Sequence, residues 1–202
     1  MGREKLKDED LIEARAMICQ ASLKLFAASG YDAVTMRAIA AELGWSAMTT
    51  YRYFPNKQSI FEAVREAALI RLSDAVADAT RDCTNPVERL RSSFVAYAAF
   101  AIDNPNEYAL AFEVYEQEMA AFPLSTTDTL RSWQISYDAA QEAYAAGLMT
   151  QDPNLAVHLL WAGVHGIIEL SSARRLIFGI ARDELITPMI DTLLSSFTVP
   201  SV

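Results

Sequence analysis

The chain has 202 residues, 52% hydrophobic and 21% charged, with a net charge of −9. That composition excludes a disordered chain and predicts an ordered globular protein of one or two domains. No run of eighteen apolar residues marks a membrane span, and the start, MGREKLKDED, lacks the apolar core of a secretory leader, so a cytoplasmic protein is expected.

Taken in order, the elements all read as helices. Leu11, Ala14, Ile18, Ala21 and Leu25 recur at three and four residues, with Asp8 or Asp10 as caps and Gly30 as the stop. Ahead of them, Arg3, Lys5 and Lys7 form an ordinary terminus or a basic arm. A short second helix follows, capped by Thr35, with Met36, Ile39, Ala40 and Leu43 turned inward and Gly44 free to take the positive φ that ends it. Ser46 caps a third helix reaching about Phe54, where Pro55 forces the chain out. Asn56 then opens a long fourth helix, to about residue 80, with Ile60, Phe61, Val64, Ala68 and Leu72 inward. Five more are expected: Val87 to Asp103, Glu107 to Met119, Thr126 to Ala146, Asn154 to Phe178 and Asp183 to Phe197. The expectation is an all-α protein of about nine helices, with no linker and no repeat, its two parts sharing the long fourth helix.

Charge is unevenly divided. Residues 1–58 sum to +1 and the remainder to −10, so a polyanion-binding surface is expected in the front part. There, MTTYRYF (Met48–Phe54) gathers threonines, tyrosines and an arginine on a short helix behind a glycine turn. A short helix, a turn and a second helix of this kind is the helix-turn-helix pattern, whose second helix enters the major groove. Hydroxyls and phenols donate to phosphates, Arg and Lys neutralise them, and methyl or thioether groups touch a thymine methyl.

The contiguous run ICQASLKLFAASGYDAVTMRAIAAELGWSAMTTYRYFPNK resembles the DNA-binding domain of TetR-type transcriptional regulators over residues 10–61. The resemblance implies a DNA-binding domain over 8–56 and an effector-binding and dimerisation domain over 57–202. It implies phosphate contacts from Thr35, Arg37 and Lys57, with Ser46 heading the recognition helix. Ala47, Met48 and Thr49 would face base edges, and Tyr51, Arg52 and Tyr53 the backbone and groove wall. Trp45, Thr50 and Phe54 would face the small core, Thr50 departing from the leucine usual there. Ala47 and Met48 are poor hydrogen-bond readers, so specificity is expected to rest on Thr49, Arg52 and DNA shape.

Residues 85–178 hold twelve of the twenty aromatic side chains. Helix-bundle core explains most of them; as a set rich in Tyr and Trp they also suit a cavity for a mostly apolar or aromatic effector. Tyr97, Tyr108, Phe112, Trp133, Tyr137 and Trp161 are the candidates, with His165 beside them in LLWAGVHGIIEL. There His158, Trp161, His165 and Glu169 share a helix face, and Gly163 and Gly166 let another helix approach. The W-x-x-x-H-G run is similar to a TetR-type subgroup named for its Trp-His-Gly C-terminal domain. His165 and Glu169 have metal-ligand spacing, but two neighbours are an incomplete shell, and Cys19 and Cys83 stand apart; no metal or cofactor is expected. Glu113, Glu116 and Glu118 read as a solvated face.

Leu159, Leu160, Val164 and Ile167, with Leu185, Ile186, Met189, Ile190, Leu193 and Leu194, exceed what one small bundle buries. In the family the corresponding helix pair forms a homodimer interface. An enzyme is not expected: no Glu-x-x-His pair, Gly-x-Ser-x-Gly elbow, Walker loop or Gly-x-Gly-x-x-Gly is present. The expected function is therefore a ligand-responsive regulator, a repressor on a pseudo-palindromic operator.

Overall fold

The structure, a computed structural model, describes residues 8–112 and 130–199. These form nine α-helices: α1 (Asp8–Ala33), α2 (Met36–Glu42), α3 (Ala47–Tyr51), α4 (Lys57–Thr80), α5 (Pro86–Asp103), α6 (Pro105–Phe112), α7 (Arg131–Ala145), α8 (Pro153–Ser172) and α9 (Arg182–Phe197). Extended pairing among the described residues is limited to the bridge between Met149 and Thr198. The protein is all-α, as its periodicity predicts. Arg3, Lys5, Lys7, Glu113, Glu116 and Glu118, and the predicted helix ends at Met119 and Thr126, lie outside the described residues.

The helices fall into two compact units, dividing within α4 after Ala68. The first comprises α1 to α3, the N-terminal half of α4, and α6. Its core joins Ile18 and Phe26 of α1, Ile39 of α2 and Phe54 beyond α3 to Ile60, Phe61 and Val64 of α4 and Leu110 of α6. Phe26, Tyr31 and Phe61 form an aromatic triangle with centroids 5.0–5.7 Å apart. The inward face of α1 is the expected one over most of its length: Ala14, Ile18 and Ala21 are buried together with Phe26, Leu25 packs half-buried against the core, and of the expected residues Leu11 alone is exposed. Leu11 lies in the first turn of the helix. Gly30 (φ 76°, ψ 164°) breaks the helix where the sequence places its stop.

The second unit comprises the rest of α4 with α5, α7, α8 and α9. α5 packs closely on α7 because their interface is lined by small side chains, Ser93, Ser136, Ala139, Ala140 and Ala143. The Ser136 hydroxyl donates to Ser93 Oγ at 2.9 Å, so the buried polar groups satisfy one another. Arg91 forks onto Asp191 at 2.7 and 3.3 Å, joining α5 to α9. Gly163 explains the approach of α9 to α8: a Cβ there would lie 2.6 Å from Met189 Sδ. At Gly166 no described residue lies within 4 Å of the would-be Cβ.

Two predicted helices are shorter than expected. α3 stops at Tyr51, with Arg52 as its C-cap, and the chain reaches Phe54 through turn hydrogen bonds onto the Thr50 carbonyl. α8 stops at Ser172, six residues before Phe178. The stop is a Schellman motif: Arg175 N–H donates to the Leu170 carbonyl at 2.7 Å and Arg174 N–H to the Ser171 carbonyl at 2.9 Å. The left-handed residue is Arg174 (φ 54°), not a glycine, which is why nothing in the sequence marks it. Phe178 consequently lies in the connection to α9, 91% exposed. Although no eighteen-residue apolar run exists, α8 is by length and composition alone long and apolar enough to cross a membrane. One face of it, Ala156, Val157, Leu160, Val164 and Ile168, is buried within the bundle.

Candidate functional site

Local hydrogen bonds build the helix-turn-helix. Thr35 Oγ1 accepts from Ala38 N–H at 3.1 Å at the head of α2, leaving the Thr35 and Arg37 side chains exposed. At the other end Trp45 N–H donates to the Ala40 carbonyl (2.8 Å) and Gly44 N–H to the Ala41 carbonyl (3.0 Å). This is a second Schellman motif, made possible by Gly44 at φ 67°. The chain re-enters helix at Ser46, whose Oγ accepts from Thr49 N–H at 3.2 Å; such a cap is worth ~1 kcal/mol.

The five residues of α3 divide into outward and inward sets. Met48 is 74% exposed, Tyr51 is 50% exposed, and Arg52 is exposed directly after them. Ala47 and Thr49 are half-buried. Thr49 is less available than the sequence implies, because its hydroxyl shares a 2.9 Å hydrogen bond with Ser46 Oγ inside the cap. Thr50 is wholly buried, as the resemblance implies, but its hydroxyl has no hydrogen-bond partner among the described residues. Phe54 is buried, while Trp45 and Tyr53 pack against each other on the rim of the core, centroids 5.9 Å apart.

Two cations have intramolecular roles. Lys57 Nζ donates to the Tyr31 carbonyl at 2.7 Å and sits 3.9 Å from the Tyr31 ring centre, which fixes its position and leaves two of its three N–H groups for another acceptor. Arg15, absent from the sequence-derived set, donates from Nη1 to the Tyr53 carbonyl at 2.7 Å and lies 4.0 Å over the Phe54 ring. It therefore holds the chain that leaves α3. Thirty-eight residues separate the partners, so no local signal could have disclosed it.

The aromatic candidates do not all fall in one unit. Tyr108 and Phe112 belong to the first, their rings 4.8 Å apart on α6. Tyr97, Trp133, Tyr137, Trp161 and His165 belong to the second. Four of these form a cluster. The Trp161 indole N–H donates to the buried Tyr97 hydroxyl at 3.2 Å, and that hydroxyl meets His165 Nδ1 at 3.5 Å. Trp161 stacks on His165 at 5.5 Å and meets Trp133 edge-on at 6.3 Å. His158 abuts Trp133 at 4.6 Å. Tyr137 stands apart, its hydroxyl accepting from Gln141 on the outer side of α7. Burial pushes the His165 pKa below its ordinary value, with Glu169 acting weakly in the opposite direction. Among the described residues no group of three His, Cys, Asp or Glu side chains is placed to hold a metal ion.

Residues 18–64 match the family model for "Bacterial regulatory proteins, tetR family", and residues 90–193 match "Tetracyclin repressor-like, C-terminal domain". The second description is general, so the Trp-His-Gly subgroup remains a resemblance of one short run. The chain is 29% identical over 143 residues to the HTH-type transcriptional activator FasR of Mycolicibacterium smegmatis, an alignment covering 68% of this chain and 65% of that one. It is 32% identical over 93 residues to the HTH-type transcriptional repressor KstR of Rhodococcus jostii, covering 45% and 42%. In both cases the match spans less than two thirds of the relative. The fatty acid degradation regulator FadR from Bacillus halodurans shares the fold, with a TM-score of 0.73 at 18% identity, over 89% of this chain and 94% of that one.

Proposed function

The chain belongs to the TetR family of bacterial regulatory proteins, and from that premise we propose that it is a ligand-responsive repressor, binding a pseudo-palindromic operator as a homodimer. In this reading residues 8–56 are the DNA-binding domain and residues 57–202 the effector-binding and dimerisation domain. Thr35, Arg37 and Lys57 take phosphates, Ser46 sets the start of the recognition helix, and Ala47, Met48, Thr49, Tyr51, Arg52 and Tyr53 line the groove. The observation that carries it is the outward face of α3, where Met48, Tyr51 and Arg52 stand exposed on a helix whose own caps are satisfied. Displayed together on one short helix, a thioether, a phenol and a guanidinium match the methyl groups and phosphates of a duplex.

A net charge of only +1 over residues 1–58 limits counterion release, so one copy binds weakly and two double the phosphate contacts. Leu155, Leu159 and Leu170 are exposed on α8, and Ile167, Leu185, Met189 and Leu193 retain partial or full exposure on α8 and α9. Apolar surface of this extent supports pairing with a second copy. The two recognition helices then reach half-sites about one turn, ~34 Å, or a multiple of it apart. A small, mostly apolar or aromatic effector binds among Tyr97, Trp133, Trp161 and His165 of the second unit and releases the operator. A coupling of ~1–3 kcal/mol, about 5–150-fold in affinity, suffices. FasR is named an activator and KstR a repressor; repression is the simpler consequence of an effector that releases the dimer. Mobility shifts with DNA upstream of the chain's own gene test the proposal. A salt-sensitive complex is expected; its absence on every native promoter fragment contradicts the reading.

A further inference from the structure

The recognition helix has an unusual chemistry for a reader of base edges. Ala47 offers a methyl group, Thr49 has its hydroxyl hydrogen-bonded to Ser46, and Thr50 is buried. Tyr53 is packed on Trp45. The most exposed apolar side chain of α3 is the thioether of Met48, 74% exposed, between a small neighbour and a threonine already engaged in the cap. A long apolar side chain displayed on this helix has one matching feature in the major groove. Of the four bases only thymine presents an apolar group there, its 5-methyl; the other edge groups are hydrogen-bond donors or acceptors, which a thioether serves poorly.

Resting on the DNA-binding reading above, we propose that Met48 is a specificity-determining residue that recognises a thymine 5-methyl group in each operator half-site by apolar contact. The operator then carries a T·A pair opposite Met48 whose identity is read through its methyl rather than its hydrogen-bonding edge. Burying one methyl is worth about fourfold in affinity, hence about fifteenfold when both half-sites are stripped of it.

The test uses duplexes selected from a random library by the full-length chain. Each thymine is replaced in turn by deoxyuridine, which removes the methyl and leaves base pairing intact, and the Met48→Ala and Met48→Leu variants are measured beside the parent. With the parent chain, replacement at one symmetric thymine position should weaken binding about fifteenfold. The penalty should vanish with Met48→Ala and persist in large part with Met48→Leu. Because Met48 is exposed, unfolding temperatures should be unchanged in both variants. Tight selected binding with no sensitive thymine, or a deoxyuridine penalty undiminished in Met48→Ala, overturns the inference and leaves the DNA-binding reading standing. Failure to select any duplex overturns both.

Discussion

Replacing Arg15 with methionine tests whether the end of α3 is held from a distance. The change keeps an apolar stem of similar length and removes the donor to the Tyr53 carbonyl and the cation over Phe54. A hydrogen bond from a charged donor is worth ~1.5–3 kcal/mol in general, and the ring interaction ~0.5–1 kcal/mol. Arg15 is half-buried, so screening and the access of water to the freed carbonyl reduce the sum to about 2 kcal/mol. For a chain of this size that lowers Tm by about 4–8 °C. Arg15→Lys keeps the charge and one donor but lacks the flat guanidinium, and should fall between the two. Calorimetry or circular dichroism supplies the stability, and mobility shifts on a bound duplex supply affinity, which should drop because the recognition helix is less firmly placed. A second readout is internal. Burial raises the Cys19 pKa and Arg15 lowers it, so Arg15→Met should push the thiol further up and slow its alkylation near neutral pH. An unchanged Tm together with unchanged affinity would refute the claim that Arg15 positions α3.

Thr50→Val removes a wholly buried hydroxyl that has no partner among the described residues while preserving shape, and should stabilise the chain by ~1 kcal/mol, a rise in Tm of about 2–4 °C by thermal melting. Ser46→Ala removes the α3 cap and frees the Thr49 hydroxyl, which should cost ~1 kcal/mol in chemical denaturation and weaken DNA binding. His165 has a folded-state pKa below its unfolded value. Its contribution is therefore intact above the unfolded pKa near 6.5 and is lost as pH falls through the folded value. Stability measured from pH 7.5 downwards should decline over that window, and His165→Gln should flatten the decline.

The head was legible because its signals are local. Thr35, Gly44 and Ser46 sit where a cap, a left-handed turn and a second cap are needed, and each acts within four residues. The long fourth helix and its inward residues were readable for the same reason: Ile60, Phe61, Val64, Ala68 and Leu72 are all buried. What spacing could not reveal was how side chains are engaged across the fold. Arg15 and Lys57 reach acceptors 38 and 26 residues away, and only the folded backbone brings those acceptors within range. The early end of α8 has no marker in the sequence because Arg174 takes the conformation usually marked by glycine. Periodicity likewise carried α9 correctly past Pro188, since the amphipathic face is kept by Ile186, Ile190 and Leu194 on either side of it. The aromatic set was readable as residue types but not as a group, because its members belong to two packing units.

The central claim is that the outward face of α3 meets DNA, and the salt dependence of binding by an Arg52→Ala variant tests it most directly. Removing one cation from a phosphate makes the slope of log K against log salt shallower by about 0.9, so a dimer without Arg52 in either copy should show a slope shallower by about 1.8. A slope identical to the parent's, with affinity unaltered, would mean that this face does not touch the duplex.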